Sequence, residues 1–151
     1  MTSVPLFTYI HTPGVHERTA YAVRAEPADA FIDALRLRGH LPSINKLGDA
    51  LIAATFTAGT RLEQGNLTSV TALILDIDGG QRKGGVFVPD NTPLEWFTAR
   101  LPFRGVAHTS YSHTEEHWKF RLIFPLVRPV TAQEHRRLWA WAHRCIEEKA
   151  D

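Results

Sequence analysis

Two aspartates one residue apart, Asp76 and Asp78, close the apolar run Thr71–Asp78 (TALILDID). Side chains alternate along an extended chain, so both carboxylates point to one face at its carboxyl end. Carboxylates so placed repel each other in a partly buried site. A divalent cation such as Mg²⁺ relieves that repulsion and takes phosphate oxygens as further ligands. Gly79 and Gly80 follow and let a substrate approach the backbone closely. The plainer alternative is an acidic turn, since aspartates commonly end strands. So short a pattern does not choose between the two by itself.

A second concentration of chemistry runs from His108 to Arg121 (HTSYSHTEEHWKFR). Lys119 and Arg121 share one face of a strand, and Tyr111 and His113 share a face of the preceding one. If the two strands form a hairpin, these side chains converge on a pocket suited to a triphosphate. Arginine grips phosphate with a planar fork, lysine supplies a point charge and histidine donates a hydrogen bond. Taken singly, Lys119 and His113 read as solvated surface residues. Arg121, between Phe120 and Leu122 in an apolar strand, calls for a specific partner. The same stretch contains His113-Thr-Glu-Glu-His117, an inverted zinc-peptidase spacing. That chemistry needs a helix, whereas the flanking FRLIFP run argues for strand and loop.

The elements that must position these groups are punctuated by proline and glycine. Leu6–Thr12 and Thr19–Arg24 read as strands. Pro27 stands in the first turn of a helix with Phe31, Ile32 and Leu35 on its apolar stripe, and Gly39 stops it. Leu51–Arg61 reads as extended. Thr71–Asp78 reads as a central strand covered on both faces, followed by a flexible turn from Gly79 to Gly85. Thr92-Pro93-Leu94-Glu95 spells a capping box and opens a helix that buries Leu94, Phe97 and Leu101. Val106–His113 and Trp118–Leu126 form two strands around the loop Thr114–His117, with Pro125 and Pro129 ending the second. A second capping box at Thr131–Glu134 opens a helix with Leu138, Trp141, Ala142 and Cys145 on one side. Strand, helix, hairpin, helix is an α+β order, with helices over a mainly antiparallel sheet.

The chain of 151 residues makes one domain, 1–151, that needs no disulfide or structural metal to fold. With the single cysteine Cys145, and neither a signal peptide nor a membrane-spanning run, the expectation is a cytoplasmic protein off the membrane. Seventeen basic against sixteen acidic residues give no bulk signature of nucleic-acid binding, so any phosphate contact must come from a local patch.

LILDID (residues 73–78) and SYSHTEEHWKFRLIFPLVRPVT (residues 110–131), in this order and separation, resemble the primase–polymerase branch of the archaeo-eukaryotic primase superfamily. A weaker similarity lies at Thr60-Arg61. The resemblance covers roughly the last half of the chain. It implies a two-layer core related to the RNA-recognition-motif fold and a DNA primase or polymerase of the plasmid or phage replication type. Asp76 and Asp78 match the motif that holds the catalytic Mg²⁺ or Mn²⁺. His113, with Ser112, matches the motif that contacts the incoming nucleotide's phosphates, and Lys119 and Arg121 would hold the same triphosphate. A primer hydroxyl would attack the α-phosphate. The implied partners are nucleoside triphosphates, a single-stranded DNA template with its primer, and a helicase domain or protein.

Two features depart from the family. Its second motif reads Ser-x-His, whereas here the serines are Ser110 and Ser112. A third acidic residue belongs on a later strand, and Asp151 falls where it could begin. The expectation is thus a core cut short before that motif, part of a longer polypeptide, or a degenerate member. Two other readings stand beside it. One is a binding module without catalysis, using Trp96, Trp118, Trp139 and Trp141 with Arg82, Lys83, Arg100 and Arg104. The other is a haloacid-dehalogenase-type phosphatase, from Leu75-Asp76-Ile77-Asp78-Gly79, with Asp76 as nucleophile and Asp78 as general acid.

Overall fold

The structure, a computed structural model, describes residues 6–12, 24–39, 50–57, 60–61, 63–84, 86–147 and 149–150. Their strands are β1 (Leu6–Thr12), β2 (Arg24–Pro27), β3 (Ala50–Ile52), β4 (Ala54–Phe56), β5 (Leu67–Asp78), β6 (Gly80–Lys83), β7 (Val86–Pro89), β8 (Val106–Thr109) and β9 (Lys119–Val130). The helices are α1 (Ala28–Gly39), α2 (Leu94–Arg100) and α3 (Ala132–Cys145). The chain is α+β. Its principal sheet is antiparallel with the order β4-β5-β9-β8; β1 lies between β2 and β3, and β6 pairs with β7. No helix among the described residues is long and apolar enough to cross a membrane.

The middle of β5, Ala72–Leu75, is continuously apolar because both of its faces are covered. Leu73, Leu75 and Ile77 point into one core with Phe97 and Leu101, Phe120, Leu122 and Phe124 of β9, and Ala142 and Ile146. Ala72 and Ile74 point the other way, into a core with Phe7, Phe31, Ile32, Val106 and Ile123. Thr71 is buried between the sheets, where its hydroxyl donates to the Thr8 carbonyl and its N–H to that of Ala53. A polar group this deep is tolerated because it is hydrogen-bonded.

Several expected boundaries shift. Pro27 ends β2, and α1 begins one residue later. Of the strand expected at Thr19–Arg24 only Arg24, the first residue of β2, is described. The extended Leu51–Arg61 stretch resolves into β3 and β4. The glycine-bounded segment after Asp78 is a hairpin, β6–β7, turning at Gly84 with φ +58°, where glycine is at ease. α2 has no capping box: Pro93 is its N-cap, and the Thr92 hydroxyl donates to Asp90 Oδ1 at 2.7 Å instead. The second capping box is present. Thr131 Oγ1 accepts from the Glu134 N–H at 3.2 Å, and Glu134 Oε2 accepts from the Thr131 N–H at 2.8 Å.

Pro125 and Pro129 do not end β9. Ala72 faces Pro125 while Val70 faces Val130, so residues 126–129 bulge out opposite Thr71. A bulge leaves ladder positions unpaired, which is where a residue without an N–H fits. β8 is shorter than expected and stops at Thr109, because Ser110–His113 closes a turn through the His113 N–H and the Ser110 carbonyl. On α3, Trp139 rather than Trp141 packs against the core; Trp141 is largely exposed beside Phe103.

Candidate functional site

The register of β5 and β9 places Asp76 opposite Arg121 and Asp78 opposite Lys119. Directly opposed residues point to the same face. The core on that face ends at Ile74 and Ile123, one step before Asp76 and Arg121, so the carboxylates emerge where its apolar cover stops. The Asp76 and Arg121 side chains are each 47% exposed.

Arg121 grips Asp76 with two bonds, Nε to Oδ1 at 3.1 Å and a terminal nitrogen to Oδ2 at 2.6 Å. Asp78 is held from two sides. Lys119 Nζ donates to Oδ2 at 2.9 Å, and His117 Nε2 stands 2.7 Å from Oδ1. That second approach joins two buried atoms and becomes an ion pair once the imidazole is protonated. The repulsion expected between the aspartates is thus offset by the protein's own cations on β9, Lys119 and Arg121.

The strand end that carries Asp78 is fixed from behind. The Gly79 N–H donates to the Trp118 carbonyl at 2.7 Å, and the Gly79 carbonyl accepts from the Asp90 N–H at 2.7 Å. Asn91 clamps the same loop, accepting from the Trp118 N–H and donating to the Glu116 carbonyl, each at 3.1 Å. Lys149 and the Thr92 hydroxyl hold the Asp90 carboxyl below its ordinary range by hydrogen bonding.

The other expected site residues go elsewhere. Ser112 is exposed in the turn, its Oγ 3.5 Å from that of Ser110, and Tyr111 is exposed beside it. His113 Nδ1 lies 3.1 Å from the Lys119 backbone nitrogen and 3.2 Å from the Lys119 carbonyl oxygen. The His113 ring lines an open cavity with Leu94, Ala107, Thr109, Glu115, Trp118 and Phe120. Phe120 belongs to the core under α2 and α3, so this cavity lies toward the opposite face of the sheet from the carboxylates. The pocket of Tyr111, His113, Lys119 and Arg121 therefore does not assemble. Asp151 lies outside the described residues. The His113–His117 segment is a turn rather than a helix, and its two histidines serve different partners.

Sequence reasoning set His117 aside as part of a chance zinc spacing, yet it sits against Asp78. Its turn has no fixed alternation, so only the fold reveals its direction. Asn91 and Gly79 carried no local sign of their clamping role either. Trp96 is covered by the Arg100 guanidinium at 3.6 Å, Trp139 stacks on His143, and Arg104 pairs with Asp29. The side chains of Arg82 and Lys83 lie outside the described residues.

Among the described residues no group of three His, Cys, Asp or Glu stands ready to hold a metal. Two carboxylates on one half-exposed face nevertheless fit Mg²⁺, which commonly takes one or two protein carboxylates and completes its shell with water and phosphate. No family model matches the chain, and no curated protein or solved structure shows a significant match to it.

Proposed function

We propose that this chain is the core of a divalent-metal-dependent nucleotidyltransferase of the primase–polymerase type, acting in replication of a plasmid, phage or other mobile element. The observation that carries the reading is the Asp76/Asp78 pair at the uncovered end of β5, matched step for step by Arg121 and Lys119 on β9. The similarity of residues 73–78 and 110–131 to that family supports it. On this reading the sheet β4-β5-β9-β8, with α2 and α3 over one face, is the two-layer core related to the RNA-recognition motif.

Asp76 and Asp78 would hold Mg²⁺ or Mn²⁺, with Asp151 as the candidate third donor. When bound, the ion stabilises charge at the α-phosphate of the incoming nucleotide. Arg121 and Lys119, once released from the carboxylates, would grip the triphosphate as fork and point charge. His113, anchored to the Lys119 backbone, acts as a positioning residue for that lysine. Template, primer and a helicase partner belong to the same proposal.

The test is binding of a labelled deoxynucleoside triphosphate with Mn²⁺ to wild type, Asp76→Ala and Arg121→Met. Metal-dependent binding by wild type, lost in Asp76→Ala and weaker in Arg121→Met, is the expected result. Binding that ignores metal, or that survives Asp76→Ala, overturns it. A folded wild type that binds single-stranded DNA but no nucleotide favours the module without catalysis. The closed ion pairs over both carboxylates are the observation on that side.

A further inference from the structure

We propose that His117 is a nitrogen ligand of the metal, bound beside Asp78, and that it makes the site prefer a transition-metal ion such as Mn²⁺ to Mg²⁺. The inference rests on the metal-dependent reading above and adds to it a residue and an ion preference. His117 Nε2 stands 2.7 Å from Asp78 Oδ1. Neighbouring ligands of one octahedral ion, each about 2.1 Å from it, lie about 3.0 Å apart. The two atoms already sit close to the spacing at which one ion joins both. Asp78 Oδ1 is buried and accepts no hydrogen bond, while Oδ2 accepts from Lys119 Nζ at 2.9 Å. Lys119 thus orients the carboxylate through one oxygen and leaves the other to take a cation.

The backbone holds His117 more firmly than a solvated turn requires. Its N–H donates to Thr114 Oγ1, and its carbonyl accepts from the Thr114 N–H, each at 3.0 Å. Asn91 bonds the residues on either side, the Glu116 carbonyl and the Trp118 N–H, each at 3.1 Å. The Trp118 carbonyl accepts from the N–H of Gly79, the residue after Asp78, at 2.7 Å. His117 and Asp78 are therefore placed relative to each other by bonds that do not involve their side chains. A counter-charge alone needs no such framework, and Lys119 and Arg121 already balance the two aspartates. A metal ligand does need it, because its donor atom must be held within a fraction of an ångström. Mg²⁺ takes oxygen donors, whereas an imidazole beside a carboxylate makes a mixed site that suits first-row transition ions.

The experiment follows Mn²⁺ binding to the full chain by EPR, with Mg²⁺ as competitor, in wild type and His117→Ala. Pulsed EPR on the Mn²⁺-loaded protein reads the nitrogen coupling of a directly bonded imidazole. The expected result is nitrogen coupling in wild type that vanishes in His117→Ala. Mn²⁺ affinity falls roughly tenfold or more in that variant. Mg²⁺ affinity stays within about twofold, so the preference for Mn²⁺ shrinks. Three outcomes overturn the inference. Wild type binds Mn²⁺ without nitrogen coupling, the coupling persists in His117→Ala, or the variant binds Mn²⁺ as tightly as wild type or more tightly. The last is the behaviour of a counter-charge, whose removal frees the carboxylate. The first needs no variant, so a His117→Ala chain that fails to fold does not shelter the inference. Mn²⁺ binding lost in Asp76→Ala but unmoved in His117→Ala overturns this inference and spares the metal-dependent reading; absence of Mn²⁺ binding by wild type overturns both.

Discussion

Replacing Gly79 with alanine puts a methyl group into the junction that anchors Asp78. The new Cβ would stand 2.4 Å from the Trp118 carbonyl oxygen, 3.1 Å from that of Asp90 and 3.2 Å from Asn91 Oδ1. Two of these are backbone atoms, one of them hydrogen-bonded to the Gly79 N–H, and the third belongs to the Asn91 clamp, so none can swing aside as a flexible side chain would. Overpacking of this kind costs about 1–3 kcal/mol. Displacing the Trp118 carbonyl also weakens the hydrogen bond it accepts from the Gly79 N–H, worth about 1 kcal/mol. The sum is roughly 2–4 kcal/mol, which lowers a urea midpoint by about 1–2 M at an ordinary slope. Urea unfolding of Gly79→Ala beside Gly65→Ala is the assay, since a Cβ at Gly65 meets nothing within 4 Å. Near-neutral behaviour of Gly65→Ala with the full loss in Gly79→Ala is expected. A Gly79→Ala protein within about 0.5 kcal/mol of wild type, inside the ordinary range for surface changes, would refute the reasoning.

Further outcomes follow from the core, the caps and the titrating groups. Leu75→Ala empties a site that is 0% exposed between β5, α2 and α3, and a loss of about 2–5 kcal/mol in the same urea assay is expected. Thr131→Ala should lower stability by about 1 kcal/mol, whereas Thr92→Ala, whose hydroxyl serves Asp90 and no helix, should leave α2 unchanged by amide exchange. Arg128 and the Thr131 N–H hold the Glu134 carboxyl at about 2 against an ordinary 4.5. Its contribution is therefore complete above pH 4.5 and lost as pH falls toward 2, and Glu134→Gln should flatten the melting-temperature profile across that window. Burial lowers the His135 pKa below its ordinary 6.5, so its neutral form contributes fully above that pH and the contribution fades on acidification; His135→Gln should remove this slope from the melting profile.

How much of this was legible in the sequence depended on how local each signal was. The β5 strand and the Thr131 capping box were readable because alternation and capping chemistry act within a few residues. The shared face of Asp76 and Asp78 followed from alternation alone, and so did that of Lys119 and Arg121. That the two pairs face each other is a matter of register between strands more than forty residues apart, which no local pattern encodes. Thr92 failed as a cap because its neighbour Asp90 competed for the hydroxyl. Pro125 and Pro129 misled because a bulge absorbed them rather than a strand end. His113 and His117 lie in a turn, where side-chain direction is set by the hydrogen bonds of Asn91 and Lys119 and by the contact with Asp78.

The long-range partnership of β5 with β9 has a consequence during synthesis on the ribosome. Asp78 and its partner Lys119 are separated by 41 residues, and pairs further down the ladder by more. At about 5–20 residues per second, β5 emerges roughly 2–8 s before the strand that will cover its free edge. Until then the apolar stretch Ala72–Leu75 lies open, since the three-residue β4 pairs only with Leu67, Ser69 and Val70. Such an edge invites pairing with another nascent chain. The two acidic residues near its end then act before any mature site exists, placing negative charge where two such edges would otherwise join.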